Sequence, residues 1–465
     1  MQRRHFIPTI AAAAGGAAQT SSRRPNILWI LGDDLGPWLG CYGHKLVHTP
    51  NIDSLANDGT RFTRMHTTAP VCSPARSGWN TGMYQTAINA HNHRSHRTDN
   101  YQLPEGVRLV SHRLRDAGYF TANVREIAPG VQGSGKTDFN FNLPNGEKPF
   151  DGTHWNQRKK GQPFYAQINF TAPHKGPMFV AARKQAKLVD PNKVELPPYH
   201  PDHPVVRDEY ANYLDTINLL DTQVGAVLDS LKRDGELDNT IIFFFGDNGR
   251  CLLRGKQWLY DAGTHVPLIV RHRGVVAKGA VRDDLSISLD ITAQTLEWAG
   301  LPVPGNFHGQ PLFGAKHKHR DRIFTARDRC DMTVDRIRSV RSDRYRYIRN
   351  YYPDRPYTQW NEYIEKQYPT LGAMFDLHKQ GKLNATQAQW MAPNRPAVEF
   401  YDAQADPHMV NNLANSPAHK KLVAEHASHL DRWIRDTGDK GAVPETPETI
   451  EREDPRSKAA PARKV

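Results

Sequence analysis

Three short stretches place reactive groups where a turn would present them. Asp33-Asp34 closes the run NILWILGDD, Asp247-Asn248 closes TIIFFFGDN, and Cys72 opens CSPARSG with Arg76 one helical turn further on. Asp33, Asp34, Asp247 and Asn248 together offer three carboxylates and one amide oxygen. Such hard donors suit Ca²⁺, or alternatively Mg²⁺, rather than a soft metal. Either dipeptide alone is equally a turn after a strand; with Cys72 they become a constellation. The four cysteines, Cys41, Cys72, Cys251 and Cys330, lie far apart without a CxxC pair. That spacing argues against a cysteine-rich zinc site or a disulfide scaffold and leaves room for one bridge.

The elements that must position these groups are legible as apolar runs. Residues 26–32 and 240–245 are continuous hydrophobic stretches, as is most of PFYAQINF (163–170), which leads to His174. Runs of this kind are strands buried on both faces. Residues 207–234 repeat apolar positions at helical spacing (Tyr210, Leu214, Ile217, Leu220, Val224), and ISLDITAQTLEWAG (287–300) reads as another helix. The alternation predicts an α/β fold: a mostly parallel or mixed central sheet flanked by helices. Asp33-Asp34, His174 and Asp247-Asn248 each follow a strand, and ligands of open α/β sheets bind outside the strands' carboxyl ends.

Beyond about residue 330 the pattern changes. IRSVRSDRYRYIRNYY (337–352) alternates as antiparallel strands do, and 419–438 reads as a helix. The expected organisation is an export signal over 1–24, a catalytic domain over 25–330, a smaller C-terminal α+β domain with an antiparallel sheet over 331–438, and a disordered tail over 439–465. Arg3-Arg4 ahead of an Ala-rich run resemble a twin-arginine export signal, which implies a periplasmic or secreted protein. That run is too short and too poor in leucine for a lasting membrane span. The formal charge of +12 favours anionic partners. Its Lys and Arg residues are spread, and no zinc-finger or aromatic-basic RNA signature accompanies them, so nucleic acid is not expected.

CSPAR at Cys72–Arg76 fits C-x-P-x-R and, with Ser77 and Thr81-Gly82, resembles the type I sulfatase signature. NILWILGDDLG, INFTAPH, FFFGDNG and RGKQWLYDAGTHVPLIV resemble the same family in the same order, from residue 25 to about 330. The resemblance implies an alkaline-phosphatase-like fold and oxidation of Cys72 to Cα-formylglycine by a formylglycine-generating enzyme. It also implies a cation held by Asp33, Asp34, Asp247, Asn248 and converted residue 72. In this family the hydrated aldehyde attacks sulfur, and the ester is released when the second hydroxyl loses its proton. By that pattern Arg76 orients the nucleophile and Asp247 accepts its proton. Lys136, His174 and Lys256 line the sulfate, and His174 or Lys256 protonates the leaving group. Many sulfatases carry a histidine two positions after the lysine matching Lys136. Here Asp138 stands there, with a reference pKa of about 3.9 rather than roughly 6.5.

The substrate is less closely drawn. TAINAHNHRSHR (86–97) is open to three readings: recognition of a carboxylated or polysulfated sugar by His91, His93 and Arg94, histidines bonding backbone, or a second metal site. His91, His93 and His96 have zinc-like spacing, but no cysteine or acid adjoins them in sequence. His308, Arg327 and Arg329 are expected at the same cleft, since guanidinium forks suit a uronate or a second sulfate. The run DRCD…YRYIRNYYPDRPY resembles bacterial glycan sulfatases and, more loosely, the sulfamidases that act on N-sulfated glucosamine. The expected substrate is therefore a sulfated polysaccharide or its fragments, attacked at a chain end. Formylglycine-dependent phosphonate or phosphodiester hydrolysis is the alternative, and a catalytically silent glycan-binding module a second.

Overall fold

A computed structural model describes residues 23–93, 97–144, 146–185 and 188–454. Most of the expected export segment, Arg94 and the last residues of the tail lie outside them.

The central sheet has seven strands. In chain order they are β1 (Asn26–Gly32), β2 (Thr60–Phe62), β3 (Phe120–Val124), β4 (Phe164–Phe170), β5 (Thr240–Gly246), β6 (Leu268–Arg271) and β7 (Ala280–Arg282). Their spatial order is β7-β2-β6-β5-β1-β4-β3. The block β5-β1-β4-β3 is parallel throughout, whereas β6 runs antiparallel to both neighbours. The sheet is thus mixed, with its parallel half carrying the chemistry. Every residue of β1, β4 and β5 is buried, as continuous apolar strands covered on both faces require.

The faces are covered by two hydrophobic cores. On one side Leu28, Ile30, Ile168 and Phe244 pack against Tyr210, Leu214, Ile217 and Val224 of the helix Pro204–Arg233. On the other, Trp29, Leu31, Phe243 and Phe245 pack with Trp79 of the helix Cys72–Thr81 and Ile291 of the helix Leu289–Trp298. Trp29 and Trp79 meet edge-to-face at 5.4 Å between ring centroids.

The C-terminal sheet is antiparallel in the order β8 (Arg322–Arg327), β9 (Ile337–Ser342), β10 (Tyr345–Asn350), β11 (Val398–Asp402). The helix Lys420–Thr437 covers it through Leu430 and Trp433. The disorder expected from residue 439 differs from the structure as far as residue 454. A turn over Lys440–Ala442 and a helix over Pro447–Glu453 occupy that segment. Asp439 and Glu445 are held there by the buried Arg338 and Arg329, so ion pairing substitutes for the missing apolar pattern. Among the described residues no helix is long and apolar enough to cross a membrane.

Candidate active site

Register brings the acidic pairs together. Gly32 of β1 lies directly opposite Gly246 of β5, so Asp33-Asp34 and Asp247-Asn248 leave the sheet side by side. A side chain at Gly246 would put its Cβ 2.4 Å from the carbonyl oxygen of Leu35, which fixes glycine there. The Asp34 turn has φ 56°, and its amide donates to Asp247 Oδ1 at 2.9 Å. Asn248 N donates to the same oxygen at 2.8 Å.

The helix Cys72–Thr81 points its N-terminus at this turn. Val71 is extended before it, Pro74 sits in the first turn, where its missing N–H costs nothing, and Gly82 closes the helix with φ 73°. Arg76 therefore shares a face with Cys72. Its guanidinium reaches Asp33, Asp247 Oδ2 at 3.0–3.1 Å and Asn169 Oδ1 at 2.7 Å. Arg76 is fully buried, so this fork is held by its acceptors rather than by water.

The remaining cations come from loops. Lys256 Nζ lies 2.8 Å from Asp34 Oδ1 and 3.3 Å from Cys72 Sγ. Lys136 Nζ lies 3.2 Å from Asp33 Oδ2 and 3.4 Å from Asp138 Oδ2. His174 Nε2 approaches Asp34 Oδ2 at 3.8 Å. Asp34, Cys72 and His174 form a group whose ligand atoms all lie within 4.8 Å of one another and could hold a metal ion. Asp33 and Asp247 are drawn together by Arg76, and Asp34 is the carboxylate that reaches Cys72, at 3.8 Å. Asn248 turns its Nδ2 to Asp34 at 2.8 Å and leaves its buried Oδ1 without a hydrogen-bond partner. An orphaned amide oxygen among three carboxylates fits a hard cation, because a bound cation satisfies it.

The charges set the protonation states. Burial works to raise Asp33 and Asp34, but Arg76 and Lys136 hold the first below the ordinary carboxylate range and Lys256 does so for the second. Burial, with the Cys72 and Asp33 charges beside it, pushes Asp247 up to about 8. Burial opposes ionisation of the Cys72 thiol, yet Lys136 and Lys256 lower it to about 7. Against the cost of burial, Asp34 holds Lys256 in its charged form, Asp33 does so for Lys136, and Asp33 with Asp247 does so for Arg76.

Two participants have no counterpart in the sequence reading. Asn169 ties three pieces together: it accepts from Arg76, donates from Nδ2 to Lys136 O at 3.2 Å, and accepts Ser134 N on its carbonyl at 2.8 Å. A polar residue inside the apolar run QINF was the available signal. Tyr363, from the helix Glu362–Gln367, places its ring 5.3 Å from Lys256 Nζ and 6.0 Å from the His174 ring. Its hydroxyl is buried without a hydrogen-bond partner. No local pattern around Tyr363 announces it.

The described residues expected to bind substrate are engaged within the protein, all of them buried except the half-buried His308. Arg327 pairs with Asp335 at 3.2 Å and reaches Gln257, next to Lys256, at 3.4 Å. Arg329 pairs with Glu445, and His308 Nδ1 accepts Tyr84 N at 3.0 Å. His91 is 5% exposed, and His93 faces Cys330 and Asp331.

An anion-transfer centre at the carboxyl ends of a parallel sheet defines a hydrolase of the alkaline-phosphatase-like class. Within it the chain belongs to the sulfatase family, whose profile matches residues 25–301. A second profile, described as N-sulphoglucosamine sulphohydrolase, C-terminal, matches residues 252–389. An ulvan-active sulfatase of Formosa agariphila is 33% identical, over 91% of this chain and 77% of that protein. Human N-sulphoglucosamine sulphohydrolase is 24% identical, over 90% of this chain and 91% of its own. A phosphonate monoester hydrolase of Agrobacterium radiobacter superimposes with TM-score 0.64 at 19% identity, covering 89% of this chain and 96% of its own. The fold is that of formylglycine-dependent sulfatases, and the chain is a sulfuric ester hydrolase.

Proposed function

We propose that the protein is an exported, formylglycine-dependent exo-sulfatase that removes O-sulfate from fragments of an ulvan-type sulfated polysaccharide. The observation that carries this reading is the position of Cys72: at a helix N-terminus, 3.3 Å from Lys256 Nζ, within one helical turn of Arg76. Maturation by a formylglycine-generating enzyme follows from the CSPAR segment. The ulvan assignment rests on the 33% identical relative.

Asp33, Asp34, Asp247 and Asn248 would hold a divalent cation, Ca²⁺ or Mg²⁺, which withdraws charge from the sulfuryl oxygens. Arg76 fixes the orientation of converted residue 72, while Lys136, Lys256 and His174 hold the sulfuryl group. Asp247 takes the proton of the attacking hydroxyl as the oxygen bonds to sulfur. The sulfur–oxygen bond to the sugar breaks, and His174 or Lys256 protonates the leaving oxygen. Asp138, beside Lys136, accepts the second hydroxyl's proton when the aldehyde re-forms and sulfate leaves. Of the five described substrate-binding candidates, Arg327 has the closest tie to this centre, through Gln257. His91, His93, His308 and Arg329 support the wall behind it.

A second reading, N-sulfate hydrolysis, is favoured by the match over residues 252–389. Sulfate release from ulvan oligosaccharides, 2-O-, 4-O- and 6-O-sulfated sugars and N-sulfated glucosamine, followed by ion chromatography, separates the two. Release from ulvan fragments is the expected result; release from N-sulfated glucosamine alone would replace it with the second. Faster turnover of a phosphonate monoester than of any sulfate would overturn both.

A further inference from the structure

We propose that His93, Cys330 and Asp331 form a zinc site, separate from the oxygen-rich catalytic centre, that staples the 91–93 segment to the turn following β8. The sequence sets a histidine cluster here without a neighbouring cysteine or acid; the fold supplies both from 237 residues away. His93 N donates to Arg329 O at 2.8 Å, which lays the two segments side by side. Cys330 and Thr333 exchange backbone hydrogen bonds of 2.9 Å, and Asn361 Nδ2 binds Cys330 O at 3.1 Å, so the turn is fixed from both sides.

Cys330 Sγ lies 3.2 Å from His93 Nδ1, and Asp331 Oδ1 lies 3.6 Å from the same nitrogen. All three donor atoms fall within 4.8 Å of one another, and the residues are 0%, 3% and 2% exposed in the order Cys330, His93, Asp331. Sulfur and carboxylate converge on one nitrogen, which carries at most one proton. A Cys–His–Asp relay would instead place the acid on the far nitrogen. Zinc bonds of about 2.3 Å to sulfur and about 2.0–2.2 Å to nitrogen and oxygen give tetrahedral edges of roughly 3.3–3.6 Å, close to the observed spacings. A thiolate and an imidazole select zinc over calcium.

The staple bears on the catalytic helix through one residue. Asn140 Nδ2 donates to Ala90 O at 3.0 Å, and Asn140 N donates to Ser77 Oγ at 2.9 Å. Fixing residues 91–93 therefore fixes the loop that abuts the helix carrying Cys72 and Arg76.

The test uses the full-length chain with Cys72→Ser, so that the thiol of the catalytic centre cannot contribute. After chelation and return of Ca²⁺, the protein is titrated with Zn²⁺ or Co²⁺. The expected result is one zinc per chain after gel filtration, a thiolate-to-cobalt charge-transfer band in the near ultraviolet, and a Tm raised by zinc. Adding Cys330→Ser or His93→Ala removes band, zinc and Tm shift; adding Cys251→Ser keeps all three. Asp331→Asn, the mildest change, weakens zinc binding at least tenfold. A folded Cys72→Ser protein, judged by circular dichroism, that binds no zinc and gives no band would overturn the proposal. A band that survives in the folded Cys330→Ser protein would do the same.

Discussion

The catalytic centre and the wall beside it are built from the same side chains and use them in opposite ways. In the centre, Arg76 bridges two carboxylates, Lys136 lies between Asp33 and Asp138, Lys256 faces Asp34, and the oxygens of Asn248 and Tyr363 remain without hydrogen-bond partners. In the wall, each arginine has an acid of its own chain: Arg327 and Arg395 share Asp335, Arg338 grips Asp328 and Asp439, and Arg329 holds Glu445. Groups left open in a buried site are available to a ligand. Groups closed on one another hold the fold, because an uncompensated buried charge is costly. Substitutions in the wall should therefore cost stability, and substitutions in the centre should cost rate.

The largest effect is expected in the wall. Arg338→Met strands Asp439 and Asp328 in a buried setting and should destabilise the protein by about 3–5 kcal/mol. Denaturant titration measures that loss, while kcat of the fraction still folded stays near wild type. A collapse of kcat without loss of stability would erase the distinction between the regions.

Lys256→Ala should do the reverse. Removing a preorganised cation from the sulfuryl site lowers kcat by about 10²–10³-fold. Steady-state kinetics beside a melting curve reads both consequences, and the Tm should move far less than for Arg338→Met.

Acid tests the wall through its neutral histidines. Burial lowers His91 and His308 to about 4, below roughly 6.5 in the unfolded chain. Between those values the unfolded state binds more protons, so stability present above about pH 6.5 is lost as pH falls toward 4. Each pH unit in that window is worth about 1.4 kcal/mol per histidine. Unfolding midpoints at pH 7, 6, 5 and 4 should fall progressively; a flat profile would contradict the burial of these rings.

The smallest effect belongs to Tyr363→Phe. Loss of the buried, unbonded hydroxyl on the ring beside Lys256 removes about 0.5–1.5 kcal/mol, roughly a two- to twelvefold drop in kcat/KM. Unchanged stability with reduced kcat/KM would place Tyr363 in the open region, and the converse would place it in the wall.

This division also explains what the sequence made legible. Asp33, Asp34, Asp247 and Asn248 stand at the end of apolar runs, and Cys72 to Arg76 is a compact motif, so local signals point to them. The parallel block of the sheet was legible for the same reason. The wall had no such signal, since Arg338 finds Asp439 across 101 residues and Arg329 finds Glu445 across 116. Segment 439–454 carried the Pro-rich, charged composition of disorder, yet its acids are the partners those arginines require. Asn169 was hidden inside a strand whose other residues are mostly apolar. The contact of His93 with Cys330 depended on topology alone.

The most direct measurement joins the chemical state of residue 72 to turnover. Protein made with a formylglycine-generating enzyme is digested, the peptide containing residue 72 is weighed, and sulfate release is measured beside Cys72→Ser and beside protein made without that enzyme. The account predicts release in proportion to the converted fraction and none from Cys72→Ser. Sulfate release at the wild-type rate by unconverted or Cys72→Ser protein would contradict it.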